Sequence, residues 1–418
     1  MTSPHTLSTP SPAATPGNRP WDAVITEIAG LSIGWDRDRD LPIATVRRLI
    51  DAGFGALTVP VELGGRGLPP GAFFTELQRL AAADPNIAQL LRPHFAFIQR
   101  QLLAPAKDRR RDDLGRAGAG ELFATASHER SGATVGSFET RITEVAGELR
   151  LSGTKHYTTG SIYADWISVL AESDNGIVSA TIDAHSDGVH TNDDWDGFGQ
   201  RLTGSGTTTF DAVIVDPARV SRPVDDGQPT PMPAFYQLVL LATLAGIADA
   251  IARDGADFVR ARTRVYSHGS AATAAGDPLI QQVVGELSST AFVVTAAVQR
   301  AVGVLETAHN LIVAEGGLGT APASDAVLQA INAAEVAASE AQVVVVALVL
   351  DAATKLFDIG GASATSAGLS YDRHWRNART LASHNPTQYK ARTVGEYRIS
   401  GTGLVYSWAT GQTKGIVL

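Results

Sequence analysis

The segment DRHWRNARTLASHNPTQYKARTVGEY, residues 372–397, concentrates arginines, two histidines, a tryptophan and two asparagines in a short polar stretch. It follows a long region of apolar, helical character. The chain as a whole is acidic, with a formal net charge of −9 at pH 7. A basic and aromatic run is not typical of plain solvated surface in such a protein. We therefore expect this segment to close a binding site and to carry a histidine to its reacting edge.

The length, charge and composition of the whole chain limit the classes of protein to which it can belong. The 418 residues suffice for two or three domains or one large multilayer unit. The negative net charge argues against nucleic acid or an anionic membrane as the main partner. Because the chain has no Cys, disulfides, thiolate metal sites and Cys nucleophiles are excluded. The longest apolar run, Val343 to Leu350, is too short to span a bilayer, and we expect a cytoplasmic protein with no metal site.

Periodicity divides the chain into four regions. Residues 1–20 are rich in Pro, Ser and Thr, lack an apolar core and predict a disordered tail rather than a secretory signal. Residues 21–120 read as helices, with a restart predicted at Pro93. Residues 121–233 hold short β-rich runs bounded by turn residues, which predict an antiparallel β domain. Residues 234–418 return to helices, so the fold class is α+β and mostly α.

The last region shows apolar residues at alternating spacings of four and three, which is typical of long helices packed on one another. The predicted seam of one helix comprises Ile280, Val284, Leu287, Ala291, Val294, Val298, Ala301, Leu305 and Ile312. A second helix repeats the pattern over 327–348, an earlier one over 238–248, and residues 366–382 supply a fourth. These positions predict a four-helix bundle whose small residues suit close helix contacts and subunit pairing.

The order of helical, β and four-helix regions resembles the acyl-CoA dehydrogenase fold. Four motifs carry this resemblance: SGTKHYTTGSIYADWISVL (152–170), WDGFGQRLTGSGTTTFDAVIVDPARV (195–220), FVRARTRVYSHG (258–269) and KLFDIGGASATSAGLSYDRHWRNAR (355–379). The resemblance covers roughly residues 21–400. It implies a flavin between the β domain and the bundle, and a homotetramer.

The chemistry departs from that of the dehydrogenases, which use a Glu as base. Where many of them have Tyr-Glu-Gly, this chain reads Ala382-Ser383-His384-Asn385-Pro386, and a usual Thr-Glu-Pro is replaced by Ser127-His128-Glu129-Arg130. The segment DRHWRNARTLASHNP is more similar to the flavin-dependent monooxygenases of this fold, a group that includes dibenzothiophene monooxygenase. The resemblance implies reduced FMN from a separate flavin reductase, with FAD possible. It further implies reaction with O2 to a flavin hydroperoxide and oxygenation of a small hydrophobic organosulfur compound or amine.

The resemblance also implies roles for individual residues. His384 and His94 are expected to be catalytic, together with Thr159 at the reactive edge of the flavin. For His384 the other interpretation is a cap of the last helical turn, and for His94 it is a core histidine beside a proline kink. Residues expected to bind the cofactor are Ser127, His128, Ser131, Tyr157, Thr158, Thr159, Gly160, Arg262 and His384.

Arg262 resembles the family's arginine that reaches the flavin phosphate, although it also fits a solvated basic helix face. Arg373, Arg376 and Arg379 recur at a spacing of three, and we expect one or more of them to pair with acids across subunits in a structural role. Trp195 and Trp375 are expected near the cavity, where large aromatic residues more often belong to a core.

Two other functions remain open from the sequence. The first is an acyl-CoA dehydrogenase whose base has moved on the bundle, for example to Glu286 or Glu335. The second is a binding or scaffold protein that keeps the fold without catalysis. The chain has no Walker motif, no G-x-G-x-x-G fingerprint and no H-E-x-x-H motif. The missing dinucleotide fingerprint fits an enzyme that takes its flavin already reduced.

Overall fold

The structure is a computed structural model that describes residues 19–130, 138–221, 229–319, 322–401 and 403. The predicted N-terminal tail lies outside these residues except for Arg19 and Pro20, and Ser131 lies outside them too. Six helices of the N-terminal region come first: α1 (Asp22–Asp38), α2 (Ile43–Asp51), α3 (Pro70–Ala83), α4 (Pro85–Leu90), α5 (Arg92–Leu103) and α6 (Arg111–Gly118).

One sheet follows the helices. Its strands are β1 (Phe123–Ala126), β2 (Arg141–Val145), β3 (Glu148–Lys155), β4 (Trp166–Ser173), β5 (Gly176–Asp183), β6 (Val189–Thr191), β7 (Thr208–Val215) and β8 (Val220–Ser221). Their order is β6-β7-β3-β2-β4-β5-β8, and β1 also pairs with β4. Pairing is antiparallel except that β1 runs parallel to β4 and β2 meets β4 in parallel at one residue pair. The expectation of an antiparallel domain missed this parallel pairing, because each short strand carries the same alternation in either direction.

The remaining helices form the bundle. They are α7 (Met232–Ala261), α8 (Pro278–Ala314), α9 (Asp325–Lys355), α10 (Asp372–Ser383) and α11 (Thr387–Ser400). The predicted seam of α8 is buried from Leu287 to Ile312, whereas Ile280 and Val284 at its start are half-buried. Three long helices with α10 give the predicted bundle, and α11 packs on α9 as a further helix. The α+β, mostly α fold class is confirmed.

The helices of the bundle are longer than the apolar runs in the sequence. Among the described residues, three helices are long and apolar enough to cross a membrane by length and composition: Met232–Ala261, Pro278–Ala314 and Asp325–Ile359. The apolar runs of the sequence are short because scattered polar residues interrupt them without ending the helices, so the length of the run from Val343 to Leu350 does not measure the apolar length of these helices. The first helix is almost wholly buried inside the protein, whereas the apolar window of α8 is only 33% buried.

Candidate flavin site

The site begins where the chain turns between α4 and α5. Asp84 caps α4 by accepting hydrogen bonds from the backbone N–H groups of Asn86 and Ile87. Leu91 separates the two helices, and Pro93 stands in the first turn of α5, where its missing N–H costs nothing. The predicted restart is thus present. It fixes Arg92 as the first residue of α5, at the edge of the site.

The end of β3 meets this junction. Tyr157 has a φ of 59°, in the left-handed region that non-glycine residues rarely adopt. Gly160 has a φ of 81°, and a Cβ on it would stand 2.6 Å from the carbonyl oxygen of Leu90. Only glycine allows this approach, which brings the turn carrying Thr159 against the start of α5.

The loop after β1, which carries His128, meets the same place. We call the meeting point of this loop, the turn that carries Thr159 and the start of α5 at Arg92 the corner. The N–H of His156 donates to the carbonyl of His128 at 2.8 Å, so the two histidines form an isolated bridge. Partial burial and the positive charges of Arg92 and Lys155 lower the pKa of His128. The Lys155 ammonium is buried and bonds to Glu129 at 2.7 Å. Glu129 also accepts from the N–H groups of Glu139 and Thr140, which pins the segment beyond the loop.

His384 reaches the corner from α10. It caps the helix in a right-handed helical conformation, so Asn377, Leu381 and His384 share one face at helical spacing. Asn377 and Leu381 are buried, and only His384 is exposed. Arg92 Nη1 lies 3.1 Å from His384 Nε2, and His384 Nδ1 lies 3.3 Å from Asn385 Oδ1.

The donors in this contact can be assigned. A guanidinium can only donate, so Nε2 of His384 accepts from Arg92 and the imidazole proton resides on Nδ1. Asn385 extends this series of hydrogen bonds, because its Nδ2 donates to Gln237 Oε1 at 2.6 Å. Although part of the His384 side chain reaches the surface, the protein atoms packed around its ring and the charge of Arg92 lower the pKa of His384 well below its ordinary value. His384 is therefore a neutral imidazole whose N–H is directed at Asn385.

Arg92 is a residue of the corner that the sequence analysis did not single out. Its guanidinium lies 4.9 Å from the ring centre of Tyr236, and its buried Nε has no hydrogen-bond partner within the described part of the chain. No described carboxylate pairs with it. Burial lowers its pKa to about 10, so it stays a cation at neutral pH. The signal in the sequence was a single arginine, Arg92, inside the apolar run that precedes Pro93.

His94 does not lie in this site. It is 1% exposed, its Nε2 donates to the carbonyl of Gly55 at 2.8 Å, and its Nδ1 accepts from the N–H of Phe123 at 3.2 Å. Both ring nitrogens are satisfied by backbone groups, and burial lowers its pKa to about 4. Its position supports the alternative of a core histidine, and we do not retain it among the catalytic residues.

The other predicted residues divide into two groups. The first group lines the corner and comprises Ser127, His128, Tyr157, Thr159 and Gly160. The second is Thr158, which is buried and supports the corner through hydrogen bonds to the Gly206 carbonyl and the Thr208 hydroxyl. The buried hydroxyl of Ser161 has no hydrogen-bond partner in the described residues, as expected if a ligand with polar edges completes the site.

Arg262 lies elsewhere. It follows α7, and 26 residues separate it from Tyr236, so it stands roughly 40 Å from the corner at 1.5 Å per helical residue. Its guanidinium donates to the carbonyls of Arg264 and Ile359. Within one chain Arg262 cannot contact the same ligand as Arg92, which corrects the expectation of a single shared site.

Two arginines of α10, Arg373 and Arg376, pair with acids of their own chain, which corrects the expectation of pairs across subunits. Arg373 and His374 bond to Asp254 at 2.6 and 2.9 Å, and Arg376 bonds to the buried Asp36 at 2.6 Å. Arg379 is exposed. Trp375 is 39% exposed and stacks on Phe198, and Trp195 packs edge-on to Tyr157 at the rim of the corner.

The alternative dehydrogenase bases are both engaged. Glu286 is ion-paired with Lys355, which lowers the pKa of this carboxyl group. Glu335 is buried and bonds to Lys390 at 2.6 Å. Neither is a free carboxylate beside the corner. The described residues also hold no cluster of His, Asp and Glu suited to a metal ion.

Comparison with known proteins identifies the family to which the chain belongs. The model of the acyl-CoA dehydrogenase middle domain matches residues 124–213, and that of the C-terminal domain matches residues 238–389. The chain belongs to the acyl-CoA dehydrogenase fold family and, within it, to the flavin-dependent monooxygenases.

Individual relatives are similar over almost the whole chain. A protein named as a probable FMNH2-dependent monooxygenase, SfnC of Pseudomonas putida, is 28% identical, covering 93% of this chain and 97% of its own. The dibenzothiophene monooxygenase of Mycolicibacterium goodii is 26% identical, covering 91% of each chain. The structure of FMN-bound TdsC from Paenibacillus superposes with a TM-score of 0.81 at 25% identity, covering 94% of this chain and all of that one.

Proposed function

We propose that this protein is the oxygenase component of a two-component system that takes reduced FMN from a separate flavin reductase. The observation that carries the proposal is the pairing of a cationic Arg92 with a neutral His384 at a corner that offers backbone and hydroxyl groups. Reduced flavin is readily anionic, and a guanidinium without a carboxylate partner among the described residues suits an anionic ring. The relatives named for FMNH2 or bound to FMN support the choice of FMN.

When bound, reduced flavin supplies the two electrons for O2, so that one oxygen atom enters the substrate and the other leaves as water. The chain's own residues would hold and orient this group. Arg92 contributes the positive charge, and the donor sequence from Arg92 through His384 and Asn385 to Gln237 fixes the imidazole. The turn at Thr159 supplies polar contacts, and the rim aromatics Tyr157 and Trp195 limit access of water.

The substrate in this proposal is a small hydrophobic heteroatom compound, with organosulfur compounds first and amines second. The support is that relatives named for dibenzothiophene align over more than nine-tenths of the chain. A cavity of about 450 Å³ between α5, α7 and α8 contains none of the corner residues, and we do not assign it to the substrate.

The proposal also includes a homotetramer in the cytoplasm. The support for assembly is the exposed apolar face of α8, where Phe292 and Leu279 are 76% and 70% exposed. In such an assembly Arg262 would serve a flavin bound mainly by another subunit, since it lies too far from its own corner.

Replacing Arg92 by Met tests the proposal. Loss of a charged hydrogen-bond donor should weaken binding of reduced FMN by roughly 10- to 100-fold. It should also remove one of the causes that lower the pKa of His384, so that any acid limb of binding lies at a higher pH than in the wild type. Anaerobic titration of reduced FMN between pH 5.5 and 8 measures both effects.

The matched control is Arg100→Met. Arg100 lies on the same helix with its guanidinium 5.7 Å from the centre of the same Tyr236 ring, whereas the guanidinium in contact with His384 is that of Arg92. The control should keep wild-type affinity and pH dependence. Equal losses in both variants would show that Arg92 acts only through packing on Tyr236, and the proposed role would be wrong.

A further inference from the structure

A chain of hydroxyl groups ends at Thr159. Thr159 Oγ1 lies 2.8 Å from Ser205 Oγ, which lies 2.7 Å from Thr203 Oγ1. Thr203 Oγ1 in turn lies 2.9 Å from the carbonyl oxygen of Gln200. Thr203 is fully buried, whereas Thr159 and Ser205 are half-buried.

Backbone hydrogen bonds fix the positions of these three hydroxyl groups relative to one another. The N–H of Thr158 donates to the carbonyl of Gly206, and the N–H of Gly160 donates to the carbonyl of Thr203. Backbone hydrogen bonds on both sides of Thr159 therefore hold the turn after β3 against the loop before β7. The three hydroxyls cannot separate without breaking these bonds.

The direction of every hydrogen bond in the chain follows from its last member. A carbonyl oxygen only accepts, so the hydroxyl of Thr203 donates to Gln200. Thr203 has no second proton, so Ser205 donates to Thr203. Ser205 has then used its proton, and Thr159 donates to Ser205. The hydroxyl of Thr159 therefore presents only lone pairs to anything bound at the corner.

We infer that Ser205 and Thr203 are positioning residues that make Thr159 an acceptor and thereby select reduced over oxidised flavin. This inference rests on the proposed binding of flavin at the corner. Reduced flavin carries an N–H at its N5 position, whereas oxidised flavin carries a lone pair there. An acceptor beside this position favours the reduced form, and it faces the oxidised form with an unfavourable contact between lone pairs.

This selectivity suits an enzyme that receives its flavin reduced and must release it oxidised. A site that bound both forms equally would be occupied by spent flavin whenever oxidised flavin accumulates. A fixed acceptor lowers the affinity of the oxidised form without a conformational change. The selection is built into three side chains and one carbonyl.

Ser205→Ala tests the inference through two dissociation constants, for oxidised FMN and for reduced FMN under anaerobic conditions. Without Ser205 the Thr159 hydroxyl is free to turn and donate to the oxidised form. We expect oxidised FMN to bind roughly 5- to 10-fold more tightly, while the affinity for reduced FMN changes little. Structural damage would not produce a gain in affinity.

Two further variants sharpen the test. Thr203→Val should shift the ratio in the same direction, because Ser205 can then donate to Thr159. Ser205→Thr keeps the hydroxyl and should retain the wild-type ratio. Ser168→Ala is the control, since Ser168 forms a similar hydroxyl pair with Ser179 at 3.0 Å elsewhere in the sheet. Thermal melting confirms that each variant is folded.

The outcomes separate the two proposals. If the wild-type protein binds neither form of FMN, the proposed function fails. If the wild type prefers reduced FMN and Ser205→Ala keeps the same ratio, or weakens both forms in parallel, the hydroxyl chain does not set the preference and this inference is overturned. A ratio that falls through tighter binding of oxidised FMN supports it.

Discussion

Two neighbouring residues at the start of α5 have opposite roles. Arg92 faces the corner with His384, whereas His94 is buried against Gly55 and Phe123. Two residues along a helix correspond to a rotation of about 200°, so the two side chains leave on opposite faces. The sequence singled out His94 beside Pro93 but not Arg92, because which of the two side chains faces the corner depends on the residue at which α5 begins.

The buried position of His94 predicts an acid-sensitive fold. The folded pKa of about 4 lies below the ordinary value of 6.5, so the unfolded chain binds the extra proton first. The neutral ring stabilises the fold fully above about pH 6.5, and this stabilisation is lost as the pH falls towards 4. Urea unfolding should show a falling free energy of unfolding over this range, and His94→Gln should reduce the slope.

The same variant distinguishes a structural from a catalytic role. His94→Gln should lower the free energy of unfolding by about 1–3 kcal/mol at pH 7, because it disturbs two buried hydrogen bonds. Its turnover, measured well below the melting temperature, should stay within about threefold of the wild type. A loss of turnover of a hundredfold or more in a folded variant would return His94 to the catalytic residues.

At the scale of elements, α10 is fixed by the loop before β7 and by α1. Asn377 Oδ1 accepts from the N–H of Gln200 at 2.6 Å, and Arg376 joins the buried Asp36 of α1. A Cβ on Gly199 would stand 2.1 Å from the carbonyl oxygen of Arg376. This close approach sets the position of α10 and hence that of His384.

Gly199→Ala should therefore displace α10 from the loop. We expect the free energy of unfolding to fall by about 1–3 kcal/mol, as for other overpacked sites, and the affinity for reduced FMN to fall with it. The control is Gly30→Ala on α1, where a Cβ meets no atom within 4 Å and should be neutral or stabilising. An unchanged melting temperature in Gly199→Ala would show that the loop yields and does not hold α10.

Periodicity predicted the elements better than their contacts. The spacing of Leu287, Val294 and Leu305 predicted the buried seam of α8 because a helix repeats its faces regularly. The hydroxyl chain from Thr159 to Gln200 could not be predicted, since it joins residues about 40 positions apart. The link between His384 and Arg92 spans almost 300 positions, and only the packed fold brings them together.

At the scale of the whole molecule, the apolar face of α8 bears on assembly. The proposed tetramer would bury Phe292, Leu279 and their neighbours, which a single chain leaves in water. Phe292→Asp places a charge in that contact. Light scattering after size-exclusion chromatography should show a smaller particle for this variant than for the wild type.

Val61→Asp provides the matched control for assembly, because Val61 is 70% exposed outside α8 and should not affect particle size. If Phe292→Asp keeps the wild-type mass, α8 is not the contact between subunits. In that case the proposal that Arg262 contacts a flavin bound mainly by another subunit would lose its support as well.

The central claim is that this protein uses reduced FMN and O2 to oxygenate a heteroatom substrate. The most direct test mixes the purified protein with reduced FMN anaerobically, adds ¹⁸O2 and a panel of sulfides and amines, and analyses products by mass spectrometry. Our account predicts a sulfur- or nitrogen-oxygenated product with one ¹⁸O atom, formed at the expense of one reduced FMN. Oxidation of the flavin at the rate of free FMN with no labelled product, together with reduction of bound flavin by an acyl-CoA without O2, would contradict it.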